Sequence, residues 1–384
     1  MTKIAISAAE VSGDTHGAFL AKELKALQPR LFLFGMGGEK MKAAGVNIRV
    51  DVTEKSTIGI TEAFRHLPSQ FFAYYRMVRL LKKEKPSAIV LIDAQGFNIP
   101  LAKAAKKLGI KTIYYISPHY WLWGIEKGLK EVAGTLDKII AVFEDAASLY
   151  FKAGASVSYF GHPLVDTVKP TMRKEEFIKK FKLDPRIKII GLFPGSRLQE
   201  IKALLPPQLR AGEIIDSSIG GAQFLLALAS PKLKNDVTKI LKKAKISVKI
   251  VEGMNYDVLN ASDAVIASGG STTLEATLLN TPIIMFYKLS KLTEFIILRV
   301  MKISVPFYSL PSILEEKEVI PELVQKEATA ENLAEETISL LVDKKKVAKM
   351  KEDFFSIRKK LGAPGVIKKV AETILKTAKA PRLS

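Results

Sequence analysis

The chain has 384 residues, enough for two domains that each bury a core, and its 48% apolar and 26% charged residues are those of a folded protein. It has no cysteine, which excludes disulfides, thiolate nucleophiles and cysteine-held zinc or iron–sulfur sites. With 59 Lys and Arg against 39 Asp and Glu it carries +20, a basic surface that suits anionic lipid or a phosphorylated substrate and equally suits a solvated face with no specific partner, whereas no helix-turn-helix, zinc-finger or RNA-binding signature points to nucleic acid.

From the N-terminus, Met1-Thr2-Lys3 leads into the apolar run Ile4–Ser7, too brief for a secretion leader and soon followed by Glu10. Short β-rich runs at Ile4–Ser7, Leu31–Phe34, Ala88–Ile92, Lys111–Ile116 and Lys138–Val142 alternate with helical patterns at Gly17–Leu27, Gln70–Lys83 and Asn98–Leu108. After Phe160-Gly161-His162-Pro163-Leu164 the theme restarts, with strands expected at Ile189–Phe193, Gln223–Ala227, Ser247–Val251, Ala264–Ala267 and Ile283–Phe286. This βαβα order predicts two doubly wound, Rossmann-like α/β domains, residues 1–165 and 166–342, with a break near Pro163 to Pro170. Ligands of open parallel sheets bind beyond the carboxyl ends of the strands, so the two sheets are expected to face a central cleft. A basic helical tail over 343–384, with 13 Lys or Arg against 4 Asp or Glu, is expected to cross back to the first domain or to pack on a partner subunit. No run of 18 uncharged apolar residues occurs; Leu289 to Tyr308 comes nearest and is broken by Lys291, Glu294, Arg299 and Lys302, so a soluble chain is expected.

Two segments run from an apolar strand into small residues that open a helix: Phe193-Pro194-Gly195-Ser196-Arg197 and Ala267-Ser268-Gly269-Gly270-Ser271-Thr272-Thr273. Such turns present free backbone N–H groups to phosphate, which points to a nucleoside diphosphate. The chain contains no Asp-x-Asp motif to hold a divalent ion, and its four histidines, His16, His66, His119 and His162, show no metal-ligand spacing. Neither a metal nor another cofactor is expected. The charge of a departing diphosphate then falls to the amides and hydroxyls of Ser268 to Thr273 and to the guanidinium fork of Arg197. Glu275, one turn into the second helix, suits ribose hydroxyls, and equally suits helix capping.

Activation of an acceptor hydroxyl needs a base. Asp93 follows the strand Ala88–Ile92, at its carboxyl end, and is the expected general base, although an aspartate there also commonly caps a helix. Glu10 takes the equivalent place after the first strand and is a second catalytic or acceptor-binding candidate; Ser12 in the same turn is a candidate substrate or hinge residue, and Ser12 and Asp14 equally suit the start of a helix. His119 and His162 are candidate substrate or hinge residues; a lone histidine is as readily structural. Over Phe64 to Leu81, Phe71, Phe72 and Tyr75 lie among Arg76 and Arg79, a mixture that suits an interfacial helix meeting anionic lipid and also suits an amphipathic core helix.

These residues resemble a known family. Glu10-Val11-Ser12-Gly13-Asp14, Gly35-Met36-Gly37-Gly38, Ile92-Asp93-Ala94, Ser117-Pro118 with Trp121-Leu122-Trp123, Gly161-His162-Pro163, Pro194-Gly195-Ser196-Arg197, Ser268-Gly269 through Leu274-Glu275, Leu310-Pro311 and Pro321-Glu322-Leu323-Val324-Gln325 are similar, in order, to the motifs of lipid-A-disaccharide synthases. The resemblance implies a two-domain glycosyltransferase of the GT-B fold acting at the cytoplasmic face of the inner membrane. It further implies UDP-2,3-diacylglucosamine as donor, 2,3-diacylglucosamine 1-phosphate as acceptor, UDP as leaving group, inversion at the anomeric carbon, and a second copy of the chain as a candidate partner. It adds Ser312 and Gln325 to the candidate substrate or hinge residues; Ser312 stands where the family usually has Asn, and Gly124 where it usually has Arg. Two rival readings stay open: a UDP-N-acetylglucosamine 2-epimerase, which shares this fold, and a non-catalytic protein that binds anionic lipid or nucleic acid.

Overall fold

In the computed structural model of the chain, residues 2–51, 60–117, 127–289 and 305–380 are described, with the side chains of 60–68 and 127 left aside. They form two compact units, one made of Met1–Asp166 with Leu361–Ser384, the other of Thr167–Lys360.

In the first unit, seven parallel strands are ordered β3-β2-β1-β4-β5-β6-β7: β1 (Lys3–Ala8), β2 (Phe32–Met36), β3 (Asn47–Val50), β4 (Ala88–Ile92), β5 (Lys111–Tyr115), β6 (Lys138–Ala141) and β7 (Val157–Tyr159). Strands β1, β4 and β5 are buried almost throughout because helices cover both faces of a parallel sheet, so side chains on each face leave water. Gly35 is required where β2 passes β1: its φ is 147° and an added Cβ would lie 3.0 Å from Ile6 N. Four helices matter for the site, α1 (Val11–Leu27), α2 (Glu39–Ala43), α3 (Ile60–Glu84) and α4 (Gln95–Lys107).

Sequence periodicity starts α1 at Gly17 and α3 at Gln70; both begin earlier. Helix α1 opens at Val11, which makes Ser12, Gly13 and Asp14 its first turn. The polar opening hides the helix from a hydrophobic pattern, but it is held by tertiary bonds. Asp14 is buried and accepts the N–H groups of Gly38 (2.7 Å), Lys40 (3.1 Å) and Met41 (3.1 Å), so it caps α2. The edge strands β3 and β7 have four and three residues, too few for a pattern to emerge against the background.

The second unit repeats the plan with six parallel strands ordered β10-β9-β8-β11-β12-β13: β8 (Ile189–Phe193), β9 (Gln223–Leu228), β10 (Val248–Glu252), β11 (Ala264–Ser268), β12 (Ile283–Tyr287) and β13 (Glu322–Val324). Strand β13, of three residues, is again an edge strand that periodicity does not reveal.

The tail divides between the units. The Lys344–Lys360 helix belongs to the second, where Asp353 receives Lys317 (2.7 Å) and Glu315 receives Lys360 (3.0 Å). The Val366–Lys379 helix belongs to the first and packs on α1, burying Val366, Ile367, Val370, Ala371 and Ile374. Its start is fastened to the end of the same unit. Asp166 accepts the N–H groups of Gly365 (2.6 Å) and Ile367 (2.8 Å), and His162 N–H donates to Leu361 O (2.8 Å).

Candidate functional site

In each sheet the strand order reverses at one point, between β1 and β4 in the first unit and between β8 and β11 in the second. Loops leaving neighbouring strands there diverge to opposite faces and open a crevice at the carboxyl edge. The Glu10–Asp14, Ile92-Asp93-Ala94, Pro194–Arg197 and Ser268–Glu275 segments each leave one of these four strands.

At the first reversal, Ala8 of β1 is in register with Ile92 of β4, so Glu10 and Asp93 leave the same edge on adjacent strands. Glu10 is the N-cap residue of α1, and Gly13 in the following turn lies close enough that a Cβ there would sit 3.4 Å from the Ala8 Cβ and 3.6 Å from Ile92 O. Ser12 is exposed on the first turn. Asp93 is half-buried, and it is Ala94 that occupies the N-cap of α4. Both adopt left-handed backbone, with φ 50° at Asp93 and 45° at Ala94. Each such non-glycine residue costs about 1–2 kcal/mol, so the surrounding bonds must hold the turn. The same edge carries a third strained residue, Ile116, with φ 60° directly after β5. Beside it Ser117 is buried, and its hydroxyl finds no hydrogen-bond partner among the described residues. His119, with Pro118 to Trp123 and Gly124, lies outside the described residues.

At the second reversal, Phe193 of β8 pairs with Ala267 of β11, so the Pro194–Arg197 and Ser268–Ser271 turns leave side by side. Gly195 has φ 112° and lies against Glu200, whose Cβ would be 2.7 Å from an added Cβ. Glu200 binds the turn from inside the Leu198–Ile219 helix: one carboxylate oxygen accepts the N–H groups of Ser196 (2.9 Å) and Arg197 (3.2 Å), and the other accepts Arg197 Nη1 (3.1 Å). The Arg197 side chain is thereby braced and only 15% exposed. Glu200 stands three residues beyond the N-cap Arg197, the capping-box spacing, which is the signal by which the sequence could have disclosed it.

Gly270, with φ 94°, is the N-cap of the Ser271–Leu279 helix. A β-branched residue there would be strained, while glycine leaves the first-turn amides of Ser271 and Thr272 uncovered, with nothing within 4 Å of the place a Cβ would take. Ser268 is buried at the end of β11; Gly269 follows; Thr273 is buried and its hydroxyl donates to Gly270 O (2.9 Å), which fixes the turn. Ser271 Oγ donates to Glu275 Oε1 (3.0 Å), a bond between side chains four residues apart at the start of the helix. Tyr256, which sequence reading missed, lies near this carboxylate: burial, and then the Glu275 charge, push its phenol above the ordinary value.

The remaining candidates lie elsewhere. His162 is buried, with Nδ1 accepting the Leu164 N–H (3.2 Å) and its ring 5.2 Å from that of Phe143, so it fixes the end of the first unit. Ser312 is wholly buried, bonded to Ser309 Oγ (3.0 Å) and accepting Val319 N–H (3.1 Å), which makes it an internal loop clasp. Gln325, just past β13 with φ 56°, accepts the Leu289 N–H through Oε1 (2.6 Å). Helix α3 turns Ala73, Met77 and Leu81 into the core, while Phe71, Phe72 and Tyr75 are 58%, 69% and 54% exposed beside exposed Arg76 and Arg79. No helix of the described residues is long and apolar enough to cross a membrane.

The chain matches the family model for lipid-A-disaccharide synthetase over residues 4–376. The lipid-A-disaccharide synthase of Geobacter metallireducens is 37% identical over 373 residues, 97% of this chain and 96% of that protein. That of Nitrosococcus oceani is 36% identical over 369 residues, 96% of this chain and 94% of its own. Among solved structures, UDP-GlcNAc 2-epimerase from Neisseria meningitidis bound to UDP-GlcNAc has a TM-score of 0.66 at 13% identity, covering 98% of this chain and 100% of that one. Acinetobacter baumannii MurG has a TM-score of 0.54 at 14% identity, covering 98% and 100%. At such identities the structural likeness speaks for the fold alone, the pair of Rossmann-like units of GT-B proteins.

Proposed function

The chain belongs to the lipid-A-disaccharide synthase family and is a hexosyltransferase of lipid A biosynthesis, and from that premise we propose that it joins UDP-2,3-diacylglucosamine to 2,3-diacylglucosamine 1-phosphate with release of UDP. The observation that carries this reading is the placement of the candidate groups. Carboxylates leave the two strands flanking the reversal in the first sheet, and an arginine and a helix N-terminus leave those flanking it in the second.

The first edge takes the acceptor. Asp93 removes the proton from the acceptor hydroxyl as its oxygen bonds to the anomeric carbon of the donor, and Glu10 orients the acceptor sugar. In the same displacement the bond from that carbon to the diphosphate breaks, its electron pair leaves on UDP, and the configuration inverts. The second edge takes the UDP moiety. The amides of Ser271 and Thr272, the Gly269-Gly270 turn and Arg197 receive the growing charge on the diphosphate, in place of a divalent ion. Because Glu200 already engages Arg197, the guanidinium is held in one rotamer and loses little freedom when phosphate arrives. Glu275 accepts the ribose hydroxyls. Phe71, Phe72 and Tyr75, with Arg76 and Arg79, rest on the cytoplasmic face of the inner membrane, where acyl chains of both substrates remain.

Product analysis with both diacyl sugars tests the reading. Disaccharide and UDP are expected, at a rate unchanged by EDTA, and Asp93→Asn is expected to lower kcat about 10²- to 10⁴-fold, the range for a lost general base. Disaccharide formation by Asp93→Asn at the native rate overturns the base assignment, and interconversion of the UDP-sugar without acceptor would replace the transferase reading with an epimerase.

A further inference from the structure

We propose that Asn98 and Tyr114 are positioning residues for Asp93, holding the left-handed backbone from which its carboxylate projects; this rests on the reading of Asp93 as the base. Asp93 and Ala94 are consecutive L-residues with φ 50° and 45°. Glycine would adopt this turn without strain, yet the nearest glycine, Gly96, lies inside α4 and outside the left-handed region. The strained conformation is therefore imposed from outside the turn, and its source is visible.

The Asp93 carbonyl receives two side-chain donors, Asn98 Nδ2 at 2.7 Å and Tyr114 Oη at 2.5 Å. Both residues are wholly buried, so water has no path to replace either bond. Asn98 cannot turn its amide over: Ser7 Oγ, also buried, donates to Asn98 Oδ1 at 2.7 Å, and the Nδ2 group is shared with Ile92 O at 3.0 Å. The net thus draws on β1 through Ser7, β5 through Tyr114 and α4 through Asn98, all closing on the residue that follows β4. Fixing a carbonyl fixes the peptide plane after Asp93, and with it the direction of the Asp93 Cα–Cβ bond. A base must stand within hydrogen-bond reach of the hydroxyl it deprotonates, so a relaxed turn moves the carboxylate off that position without altering the surface that binds the sugars.

Tyr114→Phe keeps the ring packing and deletes one donor; Asn98→Ala deletes the other. Each folded variant is expected to lose about 100-fold in kcat, the scale of a 1 Å misplacement, with KM for either sugar substrate within about threefold of native. Adding Ala94→Gly lets the turn adopt its conformation with less bracing, and is expected to restore kcat at least tenfold in each background. A merely structural net would instead lower activity with the folded fraction, read from thermal melts, and Ala94→Gly would not restore kcat. Native kcat in folded Tyr114→Phe, or a loss of kcat that Ala94→Gly leaves untouched, overturns the proposal. Should Asn98→Ala fail to fold, Tyr114→Phe decides the matter alone. Asp93→Asn separates the two layers: native turnover in that variant removes the base and this proposal together, whereas an inactive Asp93→Asn beside fully active Tyr114→Phe removes only the positioning.

Discussion

Gly195 is the clearest case of a residue whose identity is dictated by its neighbours. Its φ of 112° excludes side chains on conformational grounds, and Glu200 fills the space a Cβ would take. Glu200 in turn is tied to Ser196 N–H, Arg197 N–H and the Arg197 guanidinium, so one substitution disturbs the whole cradle. Gly195→Ala is expected to cost on the order of 1–3 kcal/mol of stability from the backbone alone. UDP affinity, measured by calorimetry on the folded variant, is expected to fall more steeply than the melting temperature suggests, because Arg197 is displaced with its brace. Unchanged UDP affinity would show that the Pro194–Arg197 turn does not meet the nucleotide.

The Val366–Lys379 helix illustrates how an element far along the chain completes an early one. Its apolar stripe covers α1, and its first amides are capped by a residue two hundred positions earlier: Asp166 supplies both bonds to Gly365 and Ile367 that the helix cannot make for itself. Asp166→Ala is expected to cost about 1–2 kcal/mol, the range of a lost helix cap, seen as a melting temperature lower by about 2–8 °C. Removal of Leu361–Ser384 altogether uncovers the α1 face, and aggregation of the truncated chain in sedimentation is the expected outcome. A truncated chain that melts like the native one would mean that the packing on α1 contributes nothing.

Charge and apolar surface act over longer distances. The proposed membrane contact joins two features of the molecule, an excess of +20 that favours anionic lipid and the exposed Phe71, Phe72 and Tyr75 of α3 that offer an apolar contact. Vesicle flotation separates the contributions. Replacing the three aromatics together by serine is expected to weaken binding to vesicles containing anionic lipid by about tenfold or more, equivalent to about 1.4 kcal/mol. Raising salt is expected to weaken it further through screening of the arginines. Equal flotation of native and substituted chains would assign the aromatic patch another use.

The strands flanking both reversals, and the turns that follow them, were legible in the amino-acid sequence, because a strand buried on both faces is mostly apolar and the turns after β8 and β11 are built of small residues. Glu10, Asp93, Arg197 and the Gly269–Thr273 turn could be named on that ground. What the sequence could not disclose depends on contacts between distant residues. The three-residue and four-residue edge strands exist only because a neighbour supplies the ladder. The first turn of α1 carries the polar Ser12 and Asp14, and the bonds by which Asp14 caps α2 join residues more than twenty positions apart. Above all, nothing in the spacing of Ser7, Asn98 and Tyr114 says that Asn98, held by Ser7, and Tyr114 meet on one carbonyl. Pattern along a chain reports which face of an element meets water; which hydrogen-bond partners meet inside is decided by the way the sheet brings its strands together.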